Sequence, residues 1–146
     1  MSQNSEVEIL LVEDNPADVE LTLRALKKRN LANKVHVVND GVQALEFLLQ
    51  EPEKGQASHP PKVVFLDLKL PRVDGHEVLR KLKSDPRTRA IPVVVILTSS
   101  KEESDILQTY SNGANSYVVK PLDFEKFVEA VSQLGLYWVL LNEAPR

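Results

Sequence analysis

The stretch VVFLDLKLPRVDG, residues 63–75, is the segment of this chain that decides its fold. Its first five residues, 63–67, suit a buried strand, yet the last of them is the carboxylate of Asp67. A proline and an Asp-Gly pair, which favour a turn, follow within the next eight residues. Because an unpaired buried carboxylate is costly, Asp67 either caps the strand as it emerges at the sheet edge or is placed there to react.

Similar β-branched runs alternate along the chain with segments whose apolar residues recur at helical spacing. The predicted strands are residues 8–12, 35–38, 63–67, 93–97 and 116–119. Several of them are continuously apolar, which is typical of parallel strands covered on both faces. Asn15-Pro16 and Asp40 mark helix starts, and Gly113 marks a helix end. This (βα)5 pattern predicts an α/β fold in which helices cover both faces of a doubly wound, five-stranded parallel sheet.

The composition predicts one domain spanning residues 1–146, with 42% hydrophobic and 27% charged residues. The net charge of −3 gives no electrostatic reason to expect a nucleic acid or an anionic membrane as a partner. The chain has no cysteine, which excludes disulfides and thiolate chemistry. Its start is unlike a signal peptide, and no apolar run approaches the roughly 20 residues that span a bilayer, so we expect a cytoplasmic protein.

Polar side chains follow four of the predicted strands, at the edge of the sheet where open α/β folds bind ligands. They are Glu13 and Asp14 after the first strand, Asp67 at the end of the third, Thr98 after the fourth and Lys120 after the fifth. Two carboxylates about 4 Å apart repel by roughly 4 kcal/mol at an effective dielectric constant near 20, and a divalent cation removes that cost. An all-oxygen, partly hydrated site suits Mg²⁺. A metal, a lysine, a hydroxyl and a nucleophilic carboxylate together predict phosphoryl transfer.

Each of these residues, taken alone, also has an ordinary structural explanation. Glu13 and Asp14 suit the acidic start of a helix, and Asp67 suits a strand-end cap. Thr98 is compatible with a simple strand-end hydroxyl, and Lys120 with a surface charge. Their order, at the ends of four strands of one sheet, favours the functional interpretation of the whole set.

The same residues stand in four ordered segments, LVEDN (11–15), FLDLKLPRVDG (65–75), ILTSS (96–100) and YVVKP (117–121). Together these segments resemble the receiver domain of a two-component response regulator, similar to the chemotaxis-regulator type, over about residues 6–134. The resemblance implies a flavodoxin-like fold and a signalling phosphoprotein rather than an enzyme. It also implies a histidine kinase as the partner that donates the phosphoryl group.

The resemblance implies a role for each acidic residue of the set. Asp67 would be the phosphoacceptor, which takes the phosphoryl group from a phosphohistidine. Asp14, Asp67 and the backbone carbonyl of Lys69 would bind Mg²⁺, with Mn²⁺ as a possible substitute. Glu13 would act through a water molecule on the metal.

The resemblance implies further roles on the last two strands. Thr98 and Lys120 would contact the phosphoryl oxygens. Thr98 and Tyr117 would form the switch that reshapes the face made by the fourth helix, the fifth strand and the fifth helix. The Lys120–Pro121 peptide bond is a candidate for the cis form, which about 5–6% of such bonds adopt in general.

The chain continues beyond the receiver core through residues 135–146, a C-terminal extension with six consecutive apolar residues. This extension either packs on the domain's own core or leaves an apolar patch for a partner. Its Tyr-Trp pair and the long loop at 51–62 resemble the small response regulators that are paired with phytochromes. That resemblance implies a phytochrome as the kinase and a homodimer that uses the output face and the C-terminal segment. Candidate residues of this surface are Tyr137, Trp138 and Leu141.

Three other functions compete with a stand-alone receiver that lacks a DNA-binding or enzymatic output domain. A phosphatase of the haloacid-dehalogenase type needs a second Asp two residues after the nucleophile, where this chain has Lys69. A receiver-like binding module that works without phosphorylation typically lacks the acceptor or the acid pair, and both are present here. A flavodoxin-like cofactor site would repel a flavin phosphate through the same carboxylates.

Overall fold

The structure is a computed structural model of the chain, and it describes residues 7–49, 60–68, 70–98, 103–119 and 123–142. Within these ranges the strands are β1 (Ile9–Val12), β2 (Val35–Val38), β3 (Val63–Leu66), β4 (Val93–Thr98) and β5 (Ser116–Val119). The helices are α1 (Pro16–Lys27), α2 (Gly41–Leu49), α3 (Gly75–Ser84), α4 (Glu103–Ser111) and α5 (Phe124–Leu136). A 3₁₀ turn at Ala32–Lys34 precedes β2, and a π-helical turn at Tyr137–Leu141 follows α5.

The strands form one parallel sheet in the order β2-β1-β3-β4-β5. β1 and β3 lie side by side in the middle, and Val12 is opposite Leu66. The predicted third strand is one residue too long, because β3 ends at Leu66 and Asp67 is the first residue beyond it. The backbone N–H of Asp67 still donates to the Val12 carbonyl, at 3.1 Å. The strand pairing therefore holds the backbone of Asp67 beside the end of β1.

Two apolar clusters lie on opposite faces of the sheet. Ile9 and Leu11 of β1 belong to the cluster that α1 and α5 cover. Leu10 and Val12 belong to the cluster that α2 and α3 cover. Every residue of β1 and β3 is buried, so their continuous apolar sequences follow from burial on both faces. The predicted parallel α/β fold with helices on both faces is confirmed.

Side-chain caps fix the starts of the helices that leave the rim of the sheet. Each cap oxygen accepts from a backbone N–H in the first turn of its helix, which would otherwise lack a partner. The caps are Asn15 for α1, Asp40 for α2, Asp74 for α3 and Asp123 for α5. Gly113, which follows α4, has a φ of 104°. The helix starts predicted at Asn15 and Asp40 and the helix end predicted at Gly113 are confirmed.

The C-terminal segment packs on the core with one side only. Val139 keeps 2% of its surface exposed and joins the cluster under α1 and α5, with Trp138 packed against it. Lys62, just before β3, donates from Nζ to the Val139 carbonyl at 3.2 Å. Tyr137, Leu140 and Leu141 remain 47%, 60% and 66% exposed. Part of the extension therefore packs on the domain's own core, while three apolar side chains of the same turn stay exposed.

Most of the loop expected at 51–62 lies outside the described residues. Among the helices that the structure describes, none is both long and apolar enough to cross a membrane.

We expect Gly75→Ala to lower the free energy of unfolding by about 1–3 kcal/mol, because the added methyl overpacks against backbone. A Cβ at Gly75 would meet the Asp67 carbonyl oxygen and would lie 2.5 Å from the Leu68 Cα. The matched control is Gly135→Ala, whose Cβ would meet the side-chain ends of Leu26 and Leu31, at 2.5 and 3.2 Å, which can move. Urea denaturation of both variants measures the difference. An equal or larger loss for Gly135→Ala would contradict this interpretation.

Candidate functional site

The ends of β1 and β3 bring three carboxyl groups to one rim of the sheet. One side-chain oxygen from each of Glu13, Asp14 and Asp67 lies within 4.8 Å of the others. Glu13 and Asp67 are buried, at 1% and 8% exposed, whereas Asp14 is exposed. The cluster therefore has a buried side, at Glu13 and Asp67, and an open side, at Asp14.

Glu13 is the most strongly perturbed acid of the cluster. Its pKa is raised to about 8, first by burial and then by the negative charge of Asp67, whereas a backbone N–H from Asn15 opposes the shift. That N–H donates to Glu13 Oε2 at 3.1 Å. The other oxygen, Oε1, is buried and has no hydrogen-bond partner among the described residues. At neutral pH this carboxyl group therefore favours a proton or a nearby cation.

These residues fit a hard divalent cation. Such ions prefer carboxylate oxygen, and Mg²⁺ typically uses one or two carboxylates and keeps several waters. Glu13 and Asp67 would face the ion from the buried side of the site, and Asp14 from the open side. A cation there would balance the repulsion of the three acids and the cost of burying Glu13 Oε1.

Thr98 and Tyr117 are placed by their backbone alone. Thr98 is the last residue of β4, and Tyr117 lies in β5 opposite Val95. Because β4 is adjacent to β3, the end of β4 belongs to the same rim as Asp67. The side-chain roles expected for Thr98 and Tyr117 stay predictions. Lys69, Lys120 and Pro121 lie outside the described residues, and so does the candidate cis peptide bond.

Two residues that the sequence patterns do not indicate belong to the loops beside this rim. Asn39, just after β2, donates from Nδ2 to the backbone carbonyl of Glu13 at 3.3 Å. Arg72, five residues after Asp67, pairs with the capping residue Asp40 at 2.8 Å. The only sequence signal for either was the helix start at Asp40, because the contacts depend on two loops meeting in space.

The chain matches the family model of the response regulator receiver domain over residues 9–132, and it belongs to that family. The response regulator Rcp1 of Synechocystis sp. is 37% identical over 131 residues, which cover 90% of this chain and 88% of Rcp1. A probable methanogenesis regulatory protein, FilR2 of Methanothrix harundinacea, is 43% identical over 94% of this chain and 86% of its own. The predicted receiver identity is confirmed.

Several of the solved structures to which the chain is similar are of response regulators linked to phytochromes. The phosphorylated cyanobacterial phytochrome response regulator RcpA superposes with a TM-score of 0.85 at 38% identity, covering 97% of this chain and 99% of RcpA. The Mn²⁺-bound form of Rcp1 gives 0.83 at 34% identity, covering 94% and 98%. The bacteriophytochrome response regulator RtBRR gives 0.71 at 51% identity, covering 94% and 82%. The predicted resemblance to the phytochrome-associated regulators is confirmed.

We expect Glu13 to give the chain a measurable pH dependence of stability in the presence of a chelator. Its pKa rises from 4.5 to about 8 on folding, so the folded chain holds a proton that the unfolded chain releases. The stabilisation is therefore complete below the lower value and is lost as the pH rises through the higher one. The slope is at most about 1.4 kcal/mol per pH unit.

Urea unfolding of wild type and Glu13→Gln between about pH 5 and pH 8 measures this contribution. The glutamine variant cannot titrate at this position, so its stability should fall less steeply with pH. Saturating Mg²⁺ should also reduce the fall in wild type, because the cation favours the charged carboxylate. Equal slopes for the two proteins in chelator would contradict the assignment.

Proposed function

We propose that the chain is a stand-alone response regulator that accepts a phosphoryl group on Asp67 from a histidine kinase. The observation that carries this proposal is the carboxyl cluster, in which oxygens of Glu13, Asp14 and Asp67 lie within 4.8 Å of one another. The chain's membership of the receiver family supports it. A cytoplasmic location of the chain suits this role, because the kinase would present its phosphohistidine inside the cell.

The proposed chemistry is attack by a carboxylate oxygen of Asp67 on the phosphorus of the kinase's phosphohistidine. The oxygen–phosphorus bond forms as the phosphorus–nitrogen bond breaks, and the imidazole leaves with the bonding electrons. When bound, Mg²⁺ supplies positive charge that neutralises the acids and the incoming phosphoryl oxygens. Asp14, Asp67 and the Lys69 carbonyl would hold it directly, and Glu13 would hold a metal-bound water. The Mn²⁺-bound form of Rcp1 supports a divalent metal in this family.

The signal would leave the site through β4 and β5. We propose that Thr98 and Lys120 contact the phosphoryl oxygens and that Tyr117 changes position when Thr98 does. The α4-β5-α5 face would then differ between the two states. The strand pairing supports this route, because Tyr117 lies opposite Val95 on the strand that ends at Thr98.

We propose that the chain is a phosphoacceptor and not an enzyme that turns over an external substrate. It would catalyse only its own phosphorylation and dephosphorylation. Lys69 supports this view, because it stands where a phosphatase with an aspartate nucleophile needs its acid. The alternative is a binding module that works without phosphorylation. Such a module would take no phosphoryl group on Asp67.

The proposed kinase is a phytochrome with histidine kinase activity. RcpA is a phytochrome response regulator and RtBRR is a bacteriophytochrome response regulator, and both cover most of this chain. FilR2, a relative of similar identity, is described instead as a probable methanogenesis regulatory protein. Phosphotransfer from a purified phytochrome kinase therefore tests this partner separately from the chemistry of Asp67.

We expect Asp67→Asn to abolish phosphorylation, because an amide cannot act as the nucleophile. Intact mass after incubation with Mg²⁺ and acetyl phosphate should show one labile phosphoryl group on wild type and none on the variant. The matched control is Asp85→Asn, an acid that follows α3 and already pairs with Arg87 at 2.9 Å. That variant should gain the phosphoryl group as wild type does.

Absence of the phosphoryl group from wild type, with acetyl phosphate and with a phosphorylated histidine kinase, would contradict the proposal. The phosphorylation-independent module would then be the better interpretation. If Asp67→Asn still gained a phosphoryl group, the phosphoacceptor would be another residue.

We also propose a homodimer that uses the α4-β5-α5 face and the C-terminal segment. Two segments assigned to this surface carry large exposed apolar side chains: Leu107 and Tyr110 on α4, and Tyr137, Leu140 and Leu141 in the C-terminal turn. Trp138 packs edge-on against Tyr137, with ring centroids 5.0 Å apart. Large apolar and aromatic side chains that stay exposed in a protomer are candidates for a protein interface.

We expect Leu141→Glu to shift the chain from dimer to monomer, because it puts a charge on an apolar interface. Leu141 is 66% exposed in the protomer, so the fold should be unaffected. Leu141→Met keeps the apolar character and is the control. Sedimentation velocity over a range of concentrations measures the association of all three proteins. A wild-type chain that stays monomeric throughout, phosphorylated or not, would contradict the dimer.

A further inference from the structure

The turn that follows Asp67 has an unusual backbone. Arg72 has a φ of 69°, in the left-handed region that residues with a Cβ rarely adopt. The backbone N–H of Val73 donates to the Pro71 carbonyl at 2.8 Å and closes a three-residue turn around Arg72. Turns of this kind are strained, so contacts from the surrounding structure must hold this one in place.

An ion pair supplies one such contact. Arg72 donates from Nε and Nη2 to Oδ2 of Asp40, at 3.1 and 2.8 Å. The other oxygen of Asp40 accepts from the Gln43 N–H at 2.8 Å and caps α2. One carboxylate therefore joins the start of α2 to the turn that follows Asp67.

A close backbone approach supplies a second, independent contact. A Cβ at Gly41 would meet the carbonyl oxygen of Val73, and it would lie 2.8 Å from the Val73 Cβ. Only glycine leaves room for the turn at this distance. The turn at residues 71–73 thus lies directly against the first residue of α2.

The same corner also holds the acidic end of β1. Asn39 donates to the Glu13 carbonyl at 3.3 Å, and the Glu13 N–H donates to the Val38 carbonyl at 3.0 Å. Residues 38–41 therefore contact both the backbone of Glu13 and the turn beyond Asp67. This corner connects the two sides of the carboxyl cluster without entering it.

We propose that Asp40 and Arg72 are positioning residues, whose ion pair keeps the turn after Asp67 aligned with the acidic end of β1. Neither residue contacts the reacting groups. The role rests on the proposed phosphorylation of Asp67. Arg72 is 56% exposed, and an ion pair with so exposed a member adds little to global stability. Loss of the pair should therefore affect the site more than the fold.

The test compares variants that break the pair and preserve its surroundings. Arg72→Asn removes the guanidinium but keeps a residue that tolerates a positive φ. Asp40→Asn keeps an oxygen that can cap α2. The matched control is Arg87→Asn, which breaks a similar pair with Asp85, at 2.9 and 3.1 Å, after the far end of α3.

We expect Arg72→Asn and Asp40→Asn to slow phosphorylation by acetyl phosphate about tenfold at saturating donor and Mg²⁺, since small misplacements of reacting groups are costly. The donor concentration for half-maximal rate should change little. Mn²⁺ affinity, measured by electron paramagnetic resonance, should fall about tenfold as well. Arg72→Lys should recover part of both losses. Urea unfolding should show no larger loss of stability than in Arg87→Asn.

The inference is overturned if Arg72→Asn keeps wild-type rate and Mn²⁺ affinity, or if Arg87→Asn loses as much of either. A loss of rate or Mn²⁺ affinity in Arg72→Asn without one in Asp40→Asn would show that the turn itself positions the site. That result would also overturn the inference about the ion pair. If wild type takes no phosphoryl group, the proposed function fails. The Mn²⁺ affinities of the same variants then still decide whether the pair positions the site.

Discussion

The site depends on the cost of holding a buried carboxyl group next to another one. Glu13 is 1% exposed, and its raised pKa expresses that cost. Alone in water, such groups would separate. Here the pairing of β1 with β3 prevents separation, because Val12 lies opposite Leu66 and the next residue of each strand is an acid. The stability of the sheet therefore holds in place a charge arrangement that is unfavourable by itself and that a cation can relieve.

Because the strands are parallel, the residues that follow them all lie at one rim of the sheet. The strand ends contribute different residues, and in the described part of the chain the helices α1, α2, α3 and α5 begin at capped positions. One of these caps has a second contact. Asp40 shows both roles, since it caps α2 with one oxygen and binds Arg72 with the other.

Much of the fold was predictable from the sequence, since strands buried on both faces have continuous apolar sequences and helix caps use few residue types. The cluster of Glu13, Asp14 and Asp67 was predictable too, because it requires only that the first and third strands be neighbours. The contacts of Asn39 and Arg72 were not, since they join loops that are distant in sequence. The C-terminal turn left two outcomes open because its apolar residues cover every direction of the helix, and only packing shows which of them faces the core.

Lys62 and Asp67 stand at opposite ends of β3, one bound to the C-terminal turn and the other in the acid cluster. The four residues of β3 separate them, so their backbones lie about 17 Å apart along a strand that is paired on both sides. A substitution in the C-terminal turn therefore falls at the opposite end of this strand from the carboxyl cluster. The exposed apolar surface of that turn can change in sequence without replacing any of the three acids.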